Sequence, residues 1–186
     1  MFRAWYAAAL ASSQLKHPGA VCVSTVNEHG VPESRFVDLK LLSERGFIFG
    51  THLHSSKARA LALNPNVAMT FWWDHIERQV RIVGSAERLS REAENALFAD
   101  RLRDAQIASW ASKQSAPLND AQQLERELNV VRQRFADVDV PRPDHWGGYC
   151  VVPTRIEFLA FRANRLHDRV VFERNAQGWQ RSMLQP

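Results

Sequence analysis

At 186 residues the chain has room for one domain of ordinary size, large enough to hold together without disulfides. Hydrophobic residues are 45% and charged residues 24%, the balance of a soluble globular protein, and no run of about 18 apolar residues offers a membrane helix. The formal net charge of +4 suits nucleic acid, an anionic membrane or a small phosphorylated ligand, but the basic residues are scattered without a Lys/Arg tract, which argues against nucleic acid.

Phe2, Trp5, Tyr6, Ala9 and Leu10 recur at helical spacing and predict an amphipathic helix from residue 2 to about 14, stopped by His17-Pro18-Gly19. Residues 1–16 are therefore read as an N-terminal helical segment. Arg3 breaks its apolar stretch, so it is not read as a signal peptide, and the cytoplasm is the expected location. Strands follow: Ala20–Asn27, then Pro32–Leu42 after a turn at Glu28-His29-Gly30, then Phe47–Thr51. A short helix begins at Ser55 or Ser56, either of which offers an N-cap, and Asn64-Pro65 ends it after Leu63.

Val67–Trp73 and Ile76–Leu89 read as a hairpin joined at Asp74-His75. The two-residue period puts Val80, Ile82 and Ala86 on one face and Gln79, Arg81 and Ser85 on the other. Ser90 with acidic residues behind it starts a helical stretch reaching Ala136, broken near Ser115-Ala116-Pro117. Leu124, Leu128, Val131 and Phe135 form its apolar stripe. Strands resume at Gly148–Pro153, Arg155–Phe161, Arg165–Glu173 and, after an Asn175–Gly178 turn, Trp179–Leu184. Many short antiparallel strands with a helical insertion at 90–136 predict one mainly β domain, closed as a barrel, spanning residues 1–186. Cys22 and Cys150 lie in apolar strands and are read as buried free thiols.

Nucleotide-loop and nucleophile-elbow motifs are missing from the sequence. His52-Leu53-His54 could set two imidazoles on one strand face, but without a third ligand nearby no metal site is expected. In Ser34–Lys40, Arg35 and Lys40 stand at the two ends of one strand, as anion-binding cations or as solvated edge charges. Thr51–Lys57 brings hydroxyls, a lysine and free backbone N–H groups to a helix start, which is either a phosphate seat or an ordinary cap. If Arg165–Arg169 is a strand, Arg165, His167 and Arg169 share one face, which suits an anionic ligand or a solvated edge.

Taken in order, the segments SRFVDLKLL, FGTHLHSSKA, NPNVAMTFWW, IERQVRIVGSAERLS, RLRDAQIASWASKQS, PRPDHWGGYCV, IEFLAFRANRLHDR and the terminal W…LQP resemble the pyridoxamine 5′-phosphate oxidase family, from about residue 17 to the C-terminus. The resemblance implies an FMN-binding split β-barrel that forms a homodimer with FMN at the subunit interface. It implies cofactor binding by Arg35, Phe36, Val37, Lys40, Gly50, Thr51, Ser56, Lys57, Gln79, Gln114, Ser115 and Arg169, with Gln114 and Ser115 supplied from across the dimer. Lys40 and Arg101 would hold a substrate phosphate, and Arg165 and His167 would stand over the substrate ring as the catalytic pair.

The implied reaction oxidises pyridoxamine or pyridoxine 5′-phosphate to pyridoxal 5′-phosphate, with O2 as the final acceptor. Four positions depart from the family pattern. Ser56 stands where Arg is usual, Leu159 where Trp is usual, Leu97 for a Tyr and Ala105 for a Ser. These departures motivate two alternatives: an FMN-dependent oxidase of secondary metabolism, similar to the phenazine-biosynthesis relatives and acting on a larger aromatic substrate, or a flavin- or pyridoxal-phosphate-binding dimer without turnover.

Overall fold

The protein is described from a computed structural model covering residues 1–11, 16–118 and 120–186. Its scaffold is a nine-stranded antiparallel sheet of β1 (Ala20–Val26), β2 (Pro32–Asp38), β3 (Leu41–Leu42), β4 (Phe47–His52), β5 (Asn66–Trp73), β6 (Arg78–Arg88), β7 (Trp146–Ala160), β8 (Asp168–Asn175) and β9 (Gly178–Leu184). The main path runs β2-β1-β5-β6-β7-β4-β3, with β8 and β9 added along the second half of β7. β2 and β3 lie at opposite ends of that path, yet only Leu39 and Lys40 separate them in sequence. So short a link curls the sheet into a barrel.

The split between β2 and β3 differs from the single strand expected over Pro32–Leu42. Leu39 N–H donates to the Gly19 carbonyl, whereas Lys40 N–H donates to the Ile48 carbonyl. The chain changes partner strands between these two residues, and Lys40 leaves the strand that carries Arg35.

Alternation fills the barrel. Val21, Val23, Met69, Phe71, Val80, Ile82 and Phe158 face inward and are buried, as a two-residue period requires. Helix α1 (Phe2–Ala11) plugs the barrel: Phe2 packs edge-on against Phe47 and Phe71, and Trp5 against Phe158. The expected continuation of this helix to residue 14 lies outside the described residues.

β7 is one strand of 15 residues, where two were expected around Pro153. Proline removes a ladder donor, and sheets tolerate it at irregularities. Here the register shifts between Val83 and Gly84 on the neighbouring β6. A Cβ on Gly84 would stand 2.2 Å from the Val152 carbonyl oxygen and 2.9 Å from Pro153 Cα, so glycine is what lets the two strands pass.

Between β4 and β5 lies α2 (Ser56–Leu63), preceded by Ser55. Between β6 and β7 come α3 (Arg91–Ala99), α4 (Arg103–Ala111) and α5 (Ala121–Arg134), with an additional break after α3. The Ser90 hydroxyl caps α3 by accepting from Ala93 N–H. Phe98, Ile107, Val131, Phe135, Val140 and Trp146 make a second apolar cluster under these helices. Leu128 packs on that cluster but Leu124 is 42% exposed, so only the later part of the expected α5 stripe is covered. Cys150 is buried and Cys22 half-buried, both as free thiols. No helix among the described residues is long and apolar enough to cross a membrane.

Candidate functional site

The polar site begins where β4 runs into α2. Thr51 is the penultimate residue of β4, and a tight turn places Ser55 and Lys57 beside it. All three side chains are buried. Ser55 precedes the helix, but its hydroxyl does not cap it; the oxygen lies 3.2 Å from Thr51 Oγ1 instead. Lys57 Nζ donates to Gln114 Oε1 at 2.8 Å, Thr51 Oγ1 at 3.2 Å and Ser55 Oγ at 3.5 Å. No carboxylate pairs with this ammonium among the described residues. Burial pushes the Lys57 pKa down to about 8, and the nearby Arg35 guanidinium pushes the same way.

Arg35 sits on the inward face of β2, opposite Val23 in β1. It donates to Thr25 Oγ1 at 2.7 Å and pairs with Glu33 at 3.1 Å. Val37 shares that face and packs on the core, while Phe36 points the other way and is 71% exposed. Gly50 holds its place for a steric reason: a Cβ there would meet the Trp146 ring at 2.6 Å. Ser56 N–H donates to Ser115 Oγ at 3.3 Å. Gln114 and Ser115 thus reach this seat within one chain. Ser115 has φ 69°, a left-handed conformation that non-glycine residues seldom adopt.

One residue beside the seat had no sequence signal. His145, just before β7, lies 5.2 Å from His52 between ring centroids and bonds the Ser109 carbonyl through Nε2. Burial, together with His145, Arg101, Lys57 and His54, pushes the His52 pKa down to about 4. His54 is exposed in the turn, so the two histidines do not share a strand face. Arg101 stacks on Trp146 at 4.9 Å and donates to the Ala105 carbonyl and to Ser109 Oγ. Burial lowers its pKa, and Asp38 is close enough to act in the opposite direction. Asp38 also pairs with Lys40 at 3.3 Å, so Lys40 and Arg101 belong to one electrostatic neighbourhood.

A second cluster lies on the outer face of the sheet. Gln79 pairs in register with Leu159, and Leu159 with Arg169, so the three side chains project together. Below them, Glu157 is fully buried. Its Oε1 accepts from Arg169 Nε and Nη2 at 2.9 and 2.7 Å, and its Oε2 from Arg155 at 3.0 Å, with Arg81 at 3.6 Å. Burial works to raise the Glu157 pKa, but the hydrogen bonds from Arg169 and Arg155 outweigh it and the net direction is down. Glu157 was missed because one acid in a β7 ladder looks like any other surface charge.

Arg165 and His167 do not join that row. β8 begins at Asp168, and Arg165 has φ 67° within the β7–β8 turn. The expectation that Arg165, His167 and Arg169 share a strand face is therefore corrected: a left-handed residue cannot continue a strand. Arg165 is exposed. His167 sits edge-on against Phe161 at 5.0 Å, and Phe161 against Trp72 at 5.1 Å.

Residues 9–135 match the family model described as pyridoxamine 5′-phosphate oxidase, and residues 146–186 match the pyridoxine 5′-phosphate oxidase C-terminal dimerisation region. The chain belongs to the pyridoxamine 5′-phosphate oxidase family. Among relatives, it is 45% identical over 185 residues to the pyridoxine/pyridoxamine 5′-phosphate oxidase of Rubrobacter xylanophilus, covering 100% of this chain and 85% of that one. It is 43% identical to the protein of the same description from Thermosynechococcus vestitus, covering 100% and 87%. Among solved structures of the family's fold, PhzG from Burkholderia lata 383, in complex with tetrahydrophenazine-1-carboxylic acid, superposes with a TM-score of 0.94 at 30% identity, covering 100% of this chain and 90% of that one. An FMN-binding, pyridoxamine 5′-phosphate oxidase-related protein from Nostoc punctiforme shares the fold with a TM-score of 0.80 at 17% identity, covering 100% and 97%.

FMN is the family's cofactor, and the seat fits its phosphate. A buried ammonium without a carboxylate, ringed by two hydroxyls at a helix start, is a donor set in need of an anion.

Proposed function

We propose that this chain, folded as one split-barrel domain over residues 1–186 and paired as a homodimer in the cytoplasm, is an FMN-dependent oxidase that converts pyridoxamine or pyridoxine 5′-phosphate to pyridoxal 5′-phosphate. The observation that carries this is Lys57, buried as a cation with only hydroxyl and amide oxygens around it among the described residues. Family membership and the pyridoxine/pyridoxamine oxidases at 43–45% identity support the same reaction.

In this reading Lys57, Thr51, Ser56, Arg35 and Ser115 hold the FMN phosphate, with Gln114 yielding its place on Lys57 to a phosphate oxygen. Phe36 and Val37 on β2, Lys40 just beyond that strand and Gly50 on β4 complete the cofactor-binding set. Gln79 and Arg169 form the ring-facing surface that the partner subunit presents across the interface. Bound FMN would supply the two-electron acceptor for oxidation of the substrate's 4′ carbon, with O2 as the final oxidant. The protein's task is placement: Lys40 and Arg101 hold the substrate phosphate, and Arg165 and His167 orient the ring so that the 4′ carbon faces the flavin.

A second reading keeps the cofactor and changes the substrate. Leu97 and Ala105 have no polar side-chain group to offer a phosphate, Leu159 opens the rung between Gln79 and Arg169, and PhzG superposes at 0.94. These features suit a larger aromatic substrate without phosphate. One experiment separates the readings. The FMN-loaded protein is mixed anaerobically with pyridoxamine 5′-phosphate, pyridoxine 5′-phosphate or a reduced tricyclic carboxylic acid, and bleaching of the flavin band is followed. Bleaching by the phosphates, with pyridoxal phosphate formed once air is admitted, supports the first reading. Bleaching by the tricycle alone supports the second, and none with any substrate removes both.

A further inference from the structure

The turn that carries Arg165 and His167 is closed on itself. Phe161 N–H donates to the Glu77 carbonyl and Arg165 N–H to the Arg162 carbonyl, while Leu166 N–H donates to Asn164 Oδ1 at 3.0 Å. The Arg162 guanidinium is anchored through Nε to Asp168 Oδ2 at 2.7 Å. Within this frame the Arg162 backbone N–H donates to His167 Nδ1 at 3.1 Å, and the imidazole edge rests on Phe161.

A neutral imidazole has one protonated nitrogen and one acceptor, and the bond made by one nitrogen decides where the proton of the other lies. A backbone N–H can only donate. His167 Nδ1 must therefore be the bare nitrogen, and the single proton of the neutral ring resides on Nε2. We propose that the Arg162 amide sets the tautomer of His167, so that this side chain meets its ligand as an Nε2–H donor and does not serve as the base that removes a proton from substrate. This rests on the reading of His167 as a substrate-facing residue and deepens it: the ligand must offer an acceptor, a ring oxygen or nitrogen, to that N–H. Arg162 and Asp168 are then positioning residues. They act through the amide and touch no substrate.

The test has two arms. In the full-length flavin-loaded protein, nitrogen-15 NMR of the histidine rings at neutral pH assigns the tautomer of His167 directly, using a His167→Gln sample to identify its signals. A protonated Nε2 and a bare Nδ1 are expected; a protonated Nδ1 overturns the proposal. The second arm compares turnover of His167→Gln and His167→Ala. Glutamine can place an N–H donor near the Nε2 position but is not a base, so it should retain activity about tenfold or more above the alanine variant. Loss of a base costs on the order of 10²–10⁴-fold, and a glutamine variant as inactive as alanine, with the flavin still bound, also overturns the proposal. If wild-type protein oxidises no candidate substrate, the proposed function fails while the NMR arm still decides the tautomer.

Discussion

Replacing Lys57 with methionine should make the flavin-free protein more stable and its grip on FMN weaker. The side chain is held at a pKa of about 8, against 10.5 for an ordinary lysine. Keeping it charged at pH 7 therefore costs the fold about 3 kcal/mol relative to the unfolded chain. Methionine of similar length removes that cost and fills the same space. It also strands acceptors: Gln114 Oε1 and Thr51 Oγ1 lose a donor, although Thr51 keeps Ser55 as a partner. Setting about 1–2 kcal/mol against the gain for those lost bonds leaves a net stabilisation of about 1–2 kcal/mol. For a chain of this length that is a rise of roughly 2–8 °C in Tm.

The cofactor responds in the opposite direction. A charge-assisted hydrogen bond to phosphate contributes about 1.5–3 kcal/mol, so FMN affinity should fall on the order of 10- to 100-fold. Thermal melts of flavin-free protein at fixed concentration and a fluorescence titration with FMN measure the two effects. The pH dependence gives a third signature. The folded state releases the Lys57 proton near pH 8 and the unfolded chain about two units higher, so the unfolded state binds more protons in between. Wild-type stability should therefore climb across that window as the penalty is relieved, and the methionine variant should lack the climb. A variant that melts lower than wild type at pH 7 while binding FMN equally well would refute the argument.

Three further outcomes follow from the packing and the charges. Gly84→Ala forces a Cβ to within 2.2 Å of the Val152 carbonyl and should cost about 1–3 kcal/mol, read as a lower urea midpoint with an unchanged m-value. Glu157→Gln leaves Arg81, Arg155 and Arg169 without their shared carboxylate and should cost about 3–5 kcal/mol. Because the native carboxyl titrates below its ordinary range, its contribution is complete above the unfolded carboxyl pKa and disappears as pH falls through the folded one; calorimetry should show that acid limb in wild type and a flatter one in the variant. Ser56→Arg restores a cation beside the seat and should tighten FMN about three- to tenfold at low salt, an advantage that shrinks as salt is added.

The barrel was largely legible because its strands alternate cleanly. Val80, Ile82 and Ala86 fall on the buried face as a two-residue period demands, and Ser90 and Asn64 mark helix ends in the expected places. What could not be read locally was any decision taken by a neighbouring strand. Pro153 looks like a strand end until the shift at Val83/Gly84 on β6 is known. Leu39–Lys40 looks like strand interior until the two ends of the sheet compete for its amides. The site divides the same way. Thr51, Ser55 and Lys57 are six residues apart at most, so their meeting is a local fact, whereas His145 reaches His52 and Glu157 reaches Arg169 only through the fold.

The two charged clusters are compensated in opposite ways, and the contrast bears on where ligands belong. On the outer face three guanidinium groups converge on Glu157, and the buried acid beneath them is fully answered. That acid is satisfied without a ligand, and its bonds hold Arg169 in a fixed orientation beside Leu159 and Gln79. At the α2 seat the arithmetic is left open. Lys57 is buried too, yet among the described residues its neighbours supply only neutral oxygens, and Arg35 adds a second positive field. The fold gives one buried charge three partners of opposite sign and, among the described residues, gives the other none. The penalty at Lys57 is one that a bound anion removes.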